Sequence, residues 1–200
     1  MKAVVDSARP TLLVGAGGHA RTVVDALRAA GRPVRAYVDA RAADWLDGSR
    51  FDTDQAALES DDLYDVAIGL GGMTPAALET RHALLSRYRA AGHTASLVVD
   101  PRATTSASAR AGAGAQILVG SIVNAGAWID EAAIVNSGAI VEHDARIGSG
   151  SHVAPGAIVL GGARVGTFCM IGAGAVILPG AKVRDRTLVP ARAVYCGKAC

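Results

Sequence analysis

Two histidines stand out in this 200-residue chain by the company they keep. His143 sits in Val141-Glu142-His143-Asp144 with a carboxylate on either side, and His152 follows in Gly150-Ser151-His152-Val153. A carboxylate beside an imidazole fixes its tautomer and raises its basicity, which suits a general base. The competing reading is a pair of solvated surface histidines. His82 and His93, in or just after a helical stretch, read as surface residues. No Ser–His–Asp arrangement and no metal-ligand spacing accompanies any of them, so no metal site is expected.

A second chemical feature lies near the start. Gly15-Ala16-Gly17-Gly18-His19-Ala20 fits G-x-G-x-x-A after a strand-like run, and Asp39 falls where a dinucleotide-binding acid is expected. The glycines permit a tight turn and let backbone amides approach a phosphate at a helix N-terminus. The segment that carries them offers one small sheet and no room for a second mononucleotide half. A nucleotide or nucleotide sugar therefore fits better than NAD, and the remaining alternative is a turn that simply needs glycine.

The elements that must position these residues are of two kinds. From Val99 to Val194 the chain repeats every six residues, through sixteen hexads without a slip. From Ile117 onward each first position is Val or Ile, and each fifth position is Ala, Ser, Cys or Thr. A six-residue period is the signature of a parallel β-helix. The branched residue fills the interior of a triangular coil, the small one sits where the chain turns, and three hexads make a turn. Each residue should then stack on the one eighteen positions later, giving about five turns. The interior of such a coil is dry, so His143 and His152, half a turn apart, must point outward or sit at loops. Cys169 occupies a small-residue position and reads as packing.

Ahead of the coil, Thr11–Gly15, Val34–Val38 and Tyr64–Ile68 read as strands. One helix is expected from the glycine turn to about Ala30, with Gly31 at its C-cap. A second should run from Pro75 to about Ala91, with Thr74 as N-cap. Leu97–Val99 leads into the coil, and Ala40–Leu63 resists assignment. The expected architecture is an α/β N-terminal domain over residues 1–97, a small Rossmann-like parallel sheet with helices packed on it, followed by a parallel β-helix over 98–200. A triangular coil with a flat face of small and apolar residues should bury it by threefold packing, giving a homotrimer.

Composition narrows the function classes. Aromatics make up 4% of the chain and apolar residues 50%, as a narrow aliphatic coil requires. A formal charge of +2 with no basic run gives no case for nucleic acid, and no stretch is apolar enough to span a bilayer. The start, Met1–Pro10, has no signal-peptide core. Cys169, Cys196 and Cys200 match no zinc spacing and fit a reducing compartment, so a cytoplasmic location is expected.

Together these pieces resemble the bacterial nucleotide-sugar acyltransferases of the left-handed β-helix superfamily, of the sialic-acid O-acetyltransferase and UDP-4-amino-sugar N-acetyltransferase type. The resemblance rests on Val14-Gly15-Ala16-Gly17-Gly18-His19 and on the run from Ile134 through Val141-Glu142-His143-Asp144 to Ser151-His152-Val153-Ala154-Pro155-Gly156. It implies a left-handed coil, a homotrimer, and acetyl-CoA in the groove between neighbouring coils. It further implies His143 as general base with Asp144 orienting it, and His152, Ala173 and Ala191 along the coenzyme. Gly17, Gly18, His19, Asp39 and Gly69 would hold a nucleotide-linked amino sugar. The activity so implied is acetyl transfer to the sugar amine. The alternatives are O-acetylation of a sugar hydroxyl and a non-catalytic, nucleotide-binding trimeric β-helix. The chain departs from the family at Ala40, at Leu70-Gly71-Gly72, at Asp100-Pro101 (where His-Pro is frequent) and in the ending Val194–Cys200. The Asp100 change reads as structural.

Overall fold

The computed structural model describes residues 9–197. Most of the stretch scanned for a leader, and the end of the atypical Val194–Cys200 segment, lie outside the described residues. Five parallel strands form the first sheet: β1 (Thr11–Val14), β2 (Val34–Val38), β3 (Ser49–Phe51), β4 (Asp65–Ile68) and β5 (Thr94–Ala95), in the order β3-β2-β1-β4-β5. The central strands are buried throughout, as expected for a sheet covered on both faces. Helix α1 (Gly18–Ala29) packs its Val23, Val24 and Leu27 on one face. Helices α2 (Asp54–Leu58) and α3 (Pro75–Ala90) cover the other, with Ala57, Leu85 and Tyr88.

The expected caps are in place. Thr74 accepts the amide of Ala77 ahead of Pro75. Gly31, at φ 73°, closes α1 through Gly31 N–H to Arg28 O and Arg32 N–H to Leu27 O. Three details differ from the sequence reading. The unassigned stretch supplies β3 and α2, short elements without a periodic apolar pattern. The sheet ends on a strand the sequence reading did not name, Thr94–Ala95, while Val98–Val99 leads into the coil as expected and pairs with Gln116–Ile117 as its first rung. His93 is a buried residue rather than a surface one. It is 6% exposed, its Nδ1 accepts the amide of Tyr64, and its ring stacks on that of Tyr64.

From Val98 the chain winds as a three-sided parallel β-helix whose two-residue strands form three sheets. Each residue pairs with the one eighteen positions on, as in Ile122 opposite Ile140 and His152 opposite Met170. The Val and Ile of the first hexad position and the small residues of the fifth make one continuous buried core, which includes Cys169. The fourth position turns the corner in the left-handed backbone region from residue 114 onward, usually as glycine. Ala132, Asp144, Phe168, Arg186 and Arg192 also adopt it, Asp144 at φ 58°.

Sorting the outward residues by eighteens separates the three faces. One column reads Val98, Gln116, Ile134, His152, Met170, and these five are buried beneath the N-terminal domain. The second reads Thr104, Ile122, Ile140, Ile158, Val176, Val194, an open aliphatic wall. The third reads Arg110, Trp128, Arg146, Arg164, Lys182, an exposed basic wall in which the guanidinium carbons of Arg110 and Arg146 lie 5.4 and 5.9 Å from the Trp128 ring centroid. At the junction of the domains, the buried Asp100 carboxylate accepts the backbone amide, Nε and Nη2 of Arg102, and Arg102 also reaches Asp25 of α1. Arg102 holds the Asp100 carboxyl well below the usual carboxylate range. Asp100 is thus a structural joint between the sheet-and-helix part and the coil, as its reading from the sequence expects.

Candidate active site

The glycine turn leaves β1 through Gly15, at φ 88°, and enters α1 with Gly17 as N-cap. Asp39, at the end of β2, accepts Arg41 N–H through one oxygen and Ala16 N–H through the other, at 3.0 and 2.9 Å. These two backbone bonds hold its carboxyl below the usual carboxylate range. The charge therefore pins the turn as well as facing what lies above it. Above lies a cleft of about 390 Å³, lined by Ala16, Gly17, Arg21, Asp39, Arg41 and Trp45 among others, with the Arg21 guanidinium 4.5 Å from the Trp45 ring centroid.

Glycine is explained differently along this turn. Gly15 needs its backbone conformation, and a Cβ on Gly69 would fall 2.1 Å from the Gly15 carbonyl oxygen, so Gly69 lets two loops touch. Gly17 and Gly18 have neither reason: their φ angles are ordinary, and a Cβ on either meets nothing within 4 Å. The space they leave open faces outward at a helix N-terminus, where a phosphate is well placed.

His19, one residue into α1, leads to the coil. Its Nε2–H donates to Gln116 Oε1 at 2.8 Å, and Gln116 Nε2 donates to the carbonyl of Ile68 at the end of β4. The His19 ring stands 6.2 Å, centroid to centroid, from that of His152. His152 donates Nδ1–H to the carbonyl of Gly72 and accepts Asn136 Nδ2–H at Nε2, both at 2.9 Å. Its tautomer is therefore fixed. Burial pushes the His152 pKa down to about 4 and lowers that of His19, so both rings are neutral near pH 7.

His143 is elsewhere. It occupies the corner between the aliphatic and basic walls, opposite the face that carries His152. Its Nδ1 meets Asp144 Oδ2 at 3.0 Å, and both side chains are largely exposed. The left-handed backbone of Asp144 turns its carboxylate back onto the preceding ring. The rungs above and below give the pair room: a Cβ on Gly161 would lie 2.5 Å from His143 Nε2, and one on Gly126 would lie 2.6 Å from Asp144 Oδ1.

Pro155, Ala173 and Ala191 form an exposed column on the corner between the covered and aliphatic faces, tied by Gly174 N–H to Pro155 O and Arg192 N–H to Ala173 O. One chain thus brings together His19 with His152, Gly17 with Asp39, and His143 with Asp144. It does not bring His143 to the others, because the body of the prism lies between. Sequence reasoning missed Gln116, Asn136 and Gly161. Gln116 carried a signal: it is one of two polar residues in an outward column that is otherwise apolar, and so covered. His82, read as a surface residue, packs edge-on against Phe168 with 5.4 Å between centroids.

Comparison with known proteins gives a consistent picture. Residues 144–179 match the model of the bacterial transferase hexapeptide family (six repeats). The crystal structure of PerB from Caulobacter crescentus, in complex with CoA and GDP-perosamine, superposes with a TM-score of 0.85 at 32% identity, covering 95% of this chain and 90% of that one. Variants of that perosamine N-acetyltransferase with one histidine replaced by Asn or Ala, also with CoA and GDP-perosamine, match as well. The acetyltransferase domain of PglB from Neisseria gonorrhoeae gives a TM-score of 0.85 at 27% identity over 94% of this chain and 91% of that one, and it has also been solved with acetyl coenzyme A. No curated protein sequence matches the chain.

Proposed function

The chain belongs to the nucleotide-sugar acyltransferases of the left-handed β-helix superfamily, and from that premise we propose that it transfers the acetyl group of acetyl-CoA to the amine of a nucleotide-linked amino sugar. The observation that carries the chemistry is the His143–Asp144 pair, with Nδ1 held by a carboxylate and Nε2 presented over the bare backbone of Gly161. In the reaction the amine nitrogen attacks the thioester carbonyl, the C–N bond forms and the C–S bond breaks. His143 Nε2 takes the amine proton and returns it to the departing thiolate, while Asp144 stabilises the transient imidazolium. No enzyme-bound acyl group is required, because the thioester is already activated.

Residues 1–97 hold the nucleotide sugar and 98–200 the acyl donor. Gly17 and Gly18 admit the diphosphate, and Asp39, His19 and Gly69 shape the sugar nucleotide's seat. His152, Ala173 and Ala191 run along the donor, with His152 serving as a fixed neutral dipole and not as a titrating group. The donor would lie on small residues at an exposed corner, which fits a slender pantetheine arm.

Two features support a homotrimer. Among the described residues the aliphatic wall is an apolar face of the coil with nothing packed on it, and His143 joins His19 and His152 only if a neighbouring copy supplies it. A reaction that depends on acetyl-CoA supports a cytoplasmic location. No helix among the described residues is long and apolar enough to cross a membrane. The direct test is thiol release from acetyl-CoA with GDP-, UDP- and dTDP-linked amino sugars, with mass spectrometry of the product. Acetylation of a hydroxyl instead of the amine, or no turnover with any of them, would overturn the reading. Mixed trimers of His143→Ala and His19→Ala chains should regain activity that neither variant has alone.

A further inference from the structure

Arg81, on α3, is 1% exposed, yet no carboxylate pairs with it among the described residues. Burial lowers its pKa to about 10, which leaves it charged near pH 7. A buried, unpaired cation is costly, and one of its nitrogens, Nη2, is buried without any hydrogen-bond partner. Such a group persists only where its remaining bonds matter.

Those bonds join three segments. Nε donates to the carbonyl of Leu70 at 2.9 Å, and Nη1 donates to the carbonyl of Ala132 at a corner of the coil. Leu70 lies in the Gly69–Gly72 loop, and that loop touches both buried histidines. The Gly72 carbonyl takes the Nδ1–H of His152, and Gly71 backs onto His19 so closely that a Cβ there would lie 3.3 Å from the ring's Cγ. Among the described residues, the only other side-chain hydrogen bond from the coil to Leu70, Gly71 or Gly72 is that of His152.

We propose that Arg81 is a positioning residue of the acyl-transfer site: it rivets the Gly69–Gly72 loop to the coil and thereby decides which nitrogen of His152 carries the proton. With the loop held, the Gly72 carbonyl stays in line with Nδ1, and Nε2 is left to accept from Asn136. With the loop released, that carbonyl drifts, and the other tautomer becomes available at the cost of one bond: Asn136 turns its carbonyl oxygen from the Ser137 N–H, which it now accepts at 2.8 Å, to an Nε2–H. The charge on Arg81 acts in the same sense, favouring neutral rings at His19 and His152, the groups that face it from α1 and the coil.

The kinetic half of this proposal rests on the acetyl-transfer reading; the tautomer does not, so the two can fail separately. Nitrogen-15 NMR of the imidazoles, recorded on the full chain without substrates, should show His152 as a single Nδ1–H tautomer. Arg81→Met should give a mixture of tautomers and lower kcat/KM by roughly tenfold to a hundredfold, the scale of small misplacements in a site. Arg81→Lys keeps the charge but reaches only one of the two carbonyls, and should fall between. A lower melting temperature with an unchanged Nδ1–H tautomer and unchanged kinetics would make Arg81 a domain rivet alone and overturn the proposal. Should Arg81→Met fail to fold, the same two readings on Arg81→Lys decide it.

Discussion

The imidazole of His143 lies against the Cα of Gly161, one rung above it, so that the first atom of any side chain there would come 2.5 Å from Nε2. Gly161 has no positive φ, and the backbone would accept alanine without strain. The glycine is there for the ring. Gly161→Ala should therefore leave folding and assembly intact while tilting His143 off Asp144, and kcat should fall by about a hundredfold. A wild-type kcat in a folded Gly161→Ala protein would show that His143 Nε2 has no fixed place in the reaction.

His143→Ala removes the imidazole that we propose as the base and should lower kcat by about a hundredfold to ten-thousandfold with acetyl-CoA binding retained. Its pH profile identifies the acceptor. An amine deprotonates unaided as pH rises, so the defect should shrink toward high pH, whereas a hydroxyl has no such reserve and the loss should be flat. Rates equal to wild type at every pH would remove His143 from the mechanism.

The helix start offers a prediction with two opposite signs. Gly18→Ala fills empty space at the first residue of α1, so the helix should gain about 0.5–1 kcal/mol. The same methyl should intrude on the phosphate and weaken nucleotide-sugar binding by about tenfold, or 1.4 kcal/mol. Calorimetric titration alongside thermal melting reads both. If binding is untouched while the melting point rises, the glycine serves no ligand.

Much of this was legible in the chain, for a local reason. Interior positions of the coil answer only to their own hexad and to the rungs above and below, so Val135, Ala139 and Val141 announce their burial by type and spacing alone. Thr74-Pro75 and Gly31 likewise state their helix ends within a few residues. His93 and Arg81 do not, because each is buried by something distant: His93 bonds Tyr64 across 29 positions and Arg81 bonds Ala132 across 51. Asp144 lies between these cases. Its place at the fourth hexad position, where glycine usually turns the corner, was readable and explains why its carboxylate folds back onto His143.

Acid should reveal the buried His152. Its folded-state pKa of about 4 lies below the ordinary 6.5, so the unfolded chain takes the proton first as pH falls. Stability is intact above pH 6.5 and is lost progressively toward about 4, by on the order of 3 kcal/mol from this group. His19 and His93, also lowered, add in the same direction. Denaturant titrations over that window should show a shallower pH slope for His152→Gln than for wild type. Equal slopes would mean that His152 is protonated in the folded protein.

The stacking of each residue on its eighteenth successor gives the coil a screw symmetry, and that symmetry governs which changes of length it survives. Eighteen residues inserted after Val183 amount to one full turn of the screw: every later side chain keeps its face and only rises by a rung. Six residues inserted at the same place keep every core position filled but rotate everything beyond by a third of a turn. The column of Pro155 and Ala173 would then lose Ala191 to a different corner, and the aliphatic wall would run into the basic one. Growth of the coil is thus quantised, and the column of Pro155, Ala173 and Ala191 can lengthen only by whole turns.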